Sequence, residues 1–571
     1  MDGLKLRRSQ VSEPSQGLHH SPFMWLATFT AAVICLFYGQ TLTVMSAPSI
    51  LETGGDIVDT GYARYRGNRA NANTVAYLGI PYAEPPLGEL RFRAPVPLNT
   101  TKIREEVGRR VIPATEYPDF AIQGSTGGGD AGGAGSEDCL KINIYTPSRA
   151  RRGSDLPVLV YIHGGGYIYG NPANWPFEHW IEQNPNVVIV SVYYRLSSFG
   201  FLAIPEFSDS ANGDFNAGFL DQIEALRWVK RNIARFGGDP DRVTINGNSA
   251  GGASVLLHLV AETKEKLFSG AIAQSVYRTP LPTPEQQLSL FKYYAEAAGC
   301  GKGTVLEQLT CLRKAPVSAL ARAQDGATPV AVGSGYRQFH PVVDGKIIAD
   351  FPTRLISQGK FARVPLIVGA TTNETLGGGT EVPESLKRFF PSITDADIAA
   401  LESAYELKDF PSEDLRYQAL IGDVQLKAAR SILGTAFSRR GIEAYAYRYN
   451  QRNPTNGGTG VWHASENWMM FRGTNTGFNG TTTFTPLDEA ERNFARELIA
   501  YWLSFVRTGN PNTHKLSRSP RWPVYKTDSR VRIVLQQAQN IAASGSFVEA
   551  EEIGEAGRSA IIASQVDTQQ N

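Results

Sequence analysis

The chain has 571 residues, 42% of them hydrophobic and 10% aromatic, a globular composition with enough length for one large insertion-rich domain or two to three average ones. Its 56 basic and 55 acidic residues nearly cancel, which argues against a nucleic-acid or other polyanionic partner and against an acidic tail. At the N-terminus Lys5, Arg7 and Arg8 precede an apolar run from Phe23 to Tyr38, and "VMSAP" (Val44–Pro48) puts small residues where a signal peptidase cuts. Residues 1–46 therefore read as a secretory signal. The alternative is an uncleaved signal anchor, because the mostly apolar stretch to Ala47 is long enough to span a bilayer. In both readings the body of the protein lies outside the cytosol, and only the second gives it a membrane partner.

Past this segment the chain reads as one catalytic domain over residues 48–545, without internal repeats. Two sequons, at Asn99 and Asn479, fit an exported protein and belong on surface loops. "GSTGGGDAGGAGS" (124–136) predicts a mobile loop. The runs 156–163 and 186–195 are continuously apolar, as in strands buried on both faces of a sheet. A helix follows, with Leu220, Ile223, Leu226, Val229, Ile233 and Phe236 mostly on one face and Gly237 as its stop. Next come a strand over 243–246, a small-residue turn at Ser249, and an apolar helix through Leu257. Further strands are predicted at 269–275, 364–370 and 443–450. Thr485 as N-cap with Pro486 at the first helical position predicts a helix running to about Arg507. From about Ser546 the chain turns polar, and residues 546–571 read as a fraying tail. Alternation of this kind predicts an α/β fold with helices on both faces of a mostly parallel sheet.

Ser249 lies in "GNSAG" at the carboxyl end of a predicted central strand, where open α/β sheets carry their chemistry. The pentapeptide alone is weak, since a tight turn also explains it. A serine nucleophile needs oxyanion donors, a base and an orienter for that base. "HGGGY" (163–167) follows an earlier strand, so the N–H groups of Gly165, Gly166 and Ala250 are the candidate donors. Of eight histidines, only His463 in "GVWHASE" and His514 in "NPNTHKLS" follow both the serine and a candidate acid, and both stay open as the base. Glu374 in "LIVGATTNET" lies just past a strand, where a triad acid belongs; a solvated surface glutamate is the competing reading. Cys300 and Cys311 are close enough to close a small loop in an oxidising compartment, leaving Cys139 as a buried free thiol. The chemistry asks for no cofactor or metal.

These residues resemble the type-B carboxylesterase/lipase family, the cholinesterase-like branch of the α/β-hydrolases, over roughly residues 55–545. The carrying stretches are "GIPYAEPPLGELRFRAP" (79–95), "SEDCLKINIYTP" (136–147), "VYIHGGGY", "YYRLSSFGFL", "DQIEALRWVKRNIARFGGDPDRVTINGNSAGG" and "FVRTGNPN" (505–512). The resemblance is closer to secreted fungal-type esterases and lipases than to cholinesterases. It implies Ser249 as nucleophile, Glu374 as acid, His463 as base, and Gly165, Gly166 and Ala250 as oxyanion hole. It also implies a Cys300–Cys311 disulfide. Because Glu374 is the middle residue of a third sequon at Asn373, that sequon is expected to be unused.

Two departures carry information. Asn248 stands where the family usually has a glutamate before the nucleophile, which removes an anion that would favour cationic substrates. Phe120 stands where the family usually has a cysteine paired to that of the "EDCL" motif, so the stretch from Phe120 to Cys139 is expected to be less tethered. It also holds no tryptophan for a quaternary ammonium, which argues against cholinesterase activity. The expected function is a secreted serine carboxylesterase acting on neutral esters, small-molecule or lipid. The rivals are a lipase or sterol esterase, an esterase for one specialised metabolite, and a catalytically dead binding protein of the same fold.

Overall fold

The structure, a computed structural model, describes residues 56–124, 135–327, 333, 335–376, 379–476 and 482–571. The N-terminal segment with Cys35, the Asn479 sequon and most of the Gly-rich stretch lie outside the described residues. Among the described residues no helix is long and apolar enough to cross a membrane.

The strands are β1 (Ile57–Asp59), β2 (Arg64–Asn71), β3 (Thr74–Pro81), β4 (Val111–Ala114), β5 (Lys141–Pro147), β6 (Leu156–Ile162), β7 (Val188–Val192) and β8 (Gly238–Asn248). They continue as β9 (Gly270–Gln274), β10 (Leu366–Thr371), β11 (Ala444–Tyr449), β12 (Thr474–Thr476), β13 (Thr482–Phe484), β14 (Val531–Leu535) and β15 (Phe547–Ala550). All but β12 and β13, which form a separate hairpin, join one sheet of order β1-β2-β3-β5-β7-β6-β8-β9-β10-β11-β14-β15, with β4 beside β2. From β7 to β14 every neighbour in this order is parallel. The flanks along the order, β1 to β7 and β14 to β15, are antiparallel.

The predicted strands at 156, 186, 269, 364 and 443 are all present, each within a few residues of its expected limits. Their side chains divide by pleat: Val158, Val160 and Ile162 join one core cluster, Leu159 and Tyr161 the other. The first cluster packs under helices Ala217–Asn232 and Ala250–Val260, the second under helix Glu489–Thr508. Each aliphatic side chain fully buried this way contributes about 1.5–3 kcal/mol.

Two expectations need correction. The late helix begins at Glu489, because Asp488 caps it and forms a reciprocal capping box with Glu491, a stronger start than Thr485 and Pro486 offer. The tail does not fray: β15 extends the sheet, helix Ile553–Ser564 follows, and Gln569, Gln570 and Asn571 are buried. Its polar residues are partners for buried arginines. Glu549 accepts from Arg532 at 2.6 Å, Glu555 pairs with Arg430 and Arg532, and Arg278 donates to Gln569 at 2.9 Å.

Cys300 and Cys311 form a disulfide, and Cys139 is free and buried, its thiol pushed up by burial. Around the missing second bridge the chain closes the base of the Gly-rich segment with main-chain bonds instead. Ser136 N–H donates to the Phe120 carbonyl at 2.8 Å, and Ala121 pairs with Ser136. Asn99 is exposed and caps helix Thr100–Val107 through its side-chain oxygen.

Candidate active site

Because β8, β9 and β10 are parallel neighbours, the segments leaving their carboxyl ends gather at one edge of the sheet. Ser249 leaves β8, Ser275 leaves β9 and Glu374 follows β10. Ser249 has φ 60° and ψ −123°, a conformation an L-residue holds only under constraint. Its N–H donates to the Gln274 carbonyl at 3.0 Å, and its own carbonyl accepts from Ala253 at 2.8 Å and Tyr277 at 3.2 Å. The turn also needs close backbone approach: a Cβ on Gly251 would lie 2.1 Å from the Ile162 carbonyl oxygen. Ala250 opens the following helix, so its N–H has no partner within that helix.

The glycine loop abuts this turn. A Cβ on Gly164 would lie 3.0 Å from that of Ser249, and Gly165 and Gly166 continue with φ of 105° and 62°. Ser249, Gly165, Gly166 and His463 line one open cavity of about 840 Å³. No Asp, Glu, Lys or Arg is among its described lining residues.

Of the two candidate bases, the structure brings His463 to the acid. His463 Nδ1 lies 2.7 Å from Glu374 Oε2, with Glu374 wholly buried behind it. Glu374 Oε1 accepts from the Ser275 hydroxyl and from Thr371 N–H at 2.9 Å. Burial alone would raise the Glu374 pKa, but His463, Ser275 and Thr371 together hold it below the ordinary carboxylate range. For His463 burial pulls the pKa down, and Glu374 and then Glu466 outweigh it, so the net shift is upward. The two loops are pinned to each other by Asn373, whose N–H donates to the Val461 carbonyl at 3.1 Å and whose Oδ1 accepts from Val461 N–H at 2.9 Å.

His514 is exposed on the loop after helix Glu489–Thr508, and burial together with Arg507 lowers its pKa. Burial pushes His163 and His340 down to about 4, and His179 and His258 to about 3, so these four are neutral packing groups.

Sequence reasoning missed Ser275 and Glu466. Ser275 closes a predicted strand beside that of Ser249, and a polar residue at that edge was the available signal. Glu466 lies one helical turn past His463. It is buried, takes bonds on Oε1 from Tyr447 at 2.7 Å and Gln274 at 3.2 Å, and faces Asn248 Nδ2 at 3.5 Å. Burial, with Glu374 adding, raises its pKa to about 7.

A model of the Carboxylesterase family matches residues 55–550. Acetylcholinesterase of Bungarus fasciatus is 32% identical over 508 residues, 83% of this chain and 80% of that one. Cocaine esterase of Homo sapiens is 31% identical over 82% of this chain and 85% of its own. Acylcarnitine hydrolase of Mus musculus is 30% identical over 89% of this chain and 91% of its own. The crystal structure of Aspergillus niger EstA superposes with a TM-score of 0.78 at 30% identity, covering 90% of this chain and 99% of that one. The sheet described above is therefore of the α/β-hydrolase kind.

Proposed function

Given that this chain belongs to the carboxylesterase family and is a carboxylic ester hydrolase, we propose that it cleaves neutral esters through an acyl-enzyme on Ser249. One observation carries this reading: a 2.7 Å His463–Glu374 pair opens onto the same cavity as the constrained Ser249 turn and the glycine loop.

Ser249 Oγ attacks the ester carbonyl and His463 takes its proton. The N–H groups of Gly165, Gly166 and Ala250 receive the developing oxyanion without reorganising. His463 returns the proton to the leaving alcohol, and a water then repeats the sequence on the acyl-enzyme. Glu374 keeps the imidazole in the tautomer that leaves Nε2 free to accept, and its retained negative charge stabilises the imidazolium. Neutral substrates are favoured because the described lining residues offer no counter-charge and Asn248 replaces the family's usual glutamate. The protein is exported, which the Cys300–Cys311 bridge supports.

The test is hydrolysis of p-nitrophenyl acetate, butyrate and palmitate by the protein lacking residues 1–46, beside Ser249→Ala. Loss of turnover by about a thousandfold or more in the variant is the expected result. Equal rates in the two proteins would remove Ser249 as nucleophile. A preference for palmitate would move the enzyme to the lipases.

A further inference from the structure

One wall of the catalytic cavity is built almost wholly of neutral hydrogen-bonding side chains. Asn453, Thr455 and Asn456 come from the loop after β11, Asn467 from helix Ser465–Met470, and Asn475 and Thr485 from the β12–β13 hairpin and its exit. Three of them are locked together. Thr455 Oγ1 donates to Asn453 Oδ1 at 2.7 Å, Asn453 Nδ2 to Asn475 Oδ1 at 3.1 Å, and Asn475 Nδ2 to Thr455 Oγ1 at 3.0 Å. This ring fixes the loop against the hairpin. Asn453 Oδ1 also accepts from Thr455 N–H at 2.9 Å and is filled, but Asn475 keeps one N–H and one acceptor lone pair, so the ring holds the side chains in place and still leaves capacity for a ligand.

A second observation points the same way. Asn467, 6% exposed, lines the same cavity, and its Nδ2 donates to the Tyr161 hydroxyl at 3.4 Å, so this amide too is held in place by the protein.

Resting on the reading that Ser249 attacks neutral esters, we propose that the alcohol half of the natural substrate is a neutral polyol, a sugar ring held against this wall. A plain alkyl alcohol would displace water from these amides without replacing its bonds. A charged alcohol would meet no counter-charge among the described lining residues. A sugar matches neutral donors and acceptors spread over one wall, and the cavity of about 840 Å³ has room for the sugar and a short acyl group together. In the reaction Ser249 takes the acyl group and the sugar hydroxyl leaves with the proton from His463.

The experiment compares kcat/KM for methyl 6-O-acetyl-α-D-glucopyranoside with that for cyclohexylmethyl acetate, which has the same ring size and acyl group and lacks the hydroxyls. Monoacetin serves as the acyclic polyol arm, and p-nitrophenyl acetate with phosphonate labelling of Ser249 as the control for ester chemistry. A site built to bind hydroxyls rejects the analogue lacking them strongly, so a sugar preference of about 100-fold or more is expected. Asn467→Leu and Asn475→Leu, changes of similar volume in separate segments, are each expected to cut that ratio by about tenfold or more. Either variant suffices should the other fail to fold. A ratio near one with p-nitrophenyl acetate turned over overturns the polyol assignment and leaves the esterase standing. Monoacetin outpacing the sugar ester overturns the ring. Absence of both turnover and labelling overturns the esterase mechanism, and this inference with it.

Discussion

Glu374→Gln separates the charge of the acid from its shape. The site turns three donors toward Glu374: the His463 Nδ1–H at 2.7 Å, the Ser275 hydroxyl and the Thr371 N–H at 2.9 Å. A carboxylate accepts all three, whereas an amide offers one acceptor and one donor and must oppose a donor with a donor. Imidazolium and carboxylate charges centred about 4 Å apart, at an effective dielectric near 20, attract by about 4 kcal/mol, or roughly three orders of magnitude in rate. If the amide N–H faces His463, the imidazole adopts the wrong tautomer, and the comparable change in a serine protease triad costs about 10⁴. A fall of about 10³- to 10⁴-fold in kcat on p-nitrophenyl butyrate is expected, with KM little altered, because Glu374 touches no substrate. Active sites are counted by phosphonate titration, so that misfolded protein does not enter the rate. The acid limb of the residual activity should also move to lower pH, since the burial that lowers the His463 pKa persists while the carboxylate that raises it is gone. A loss below about tenfold with an unmoved limb would refute Glu374 as the orienting acid.

As the proposed base of the unmodified enzyme, His463 must be neutral to act. Because its pKa is raised above the ordinary 6.5, kcat/KM should fall as pH drops through a value above 6.5, and a profile still flat below about pH 5 would contradict this. Gly422→Ala places a Cβ 1.8 Å from the Glu374 carbonyl oxygen; displacing the acid loop is expected to cost about 10²-fold in kcat, read alongside Tm. The paired change Cys300→Ser and Cys311→Ser opens a bridge across 11 residues and should cost about 3 kcal/mol in denaturant unfolding while kcat at 25 °C stays unchanged. Peptide mapping of the exported protein should find Asn373 without a glycan, since its side chain is half-buried against Val461 beside the acid.

The central strands were legible because burial on both faces writes continuous apolar runs, as in Val188–Val192, and parallel pairing puts helices between them. The flanking strands β3 and β5 are largely buried as well, but Thr74, Gly79, Asn143 and Thr146 interrupt their apolar residues, so no continuous run marks them. Ser249 and the glycine loop were legible from spacing, because close backbone packing restricts those positions to small residues. The choice between His463 and His514 was not, since it depends on which loop returns to the edge holding β10. Ser275 and Glu466 were equally silent, as a hydroxyl or carboxylate acquires its partner only through the tertiary fold. Residues 546–571 misled for a definite reason: the same polar composition serves solvation or the pairing of buried arginines, and two of those arginines, Arg430 and Arg278, lie far away in sequence.

The order of the sheet also decides when the enzyme first becomes competent as it folds. The elbow at Ser249 needs β6 paired with β8, Val158 beside Val243, whereas His463 and Glu374, 89 residues apart, meet only once β10 and β11 have paired as well. Both pairings are long-range, so chain entropy opposes each until flanking contacts form. Turnover therefore reports completion of the far half of the sheet, and a chain arrested earlier would hold its nucleophile turn while remaining catalytically silent.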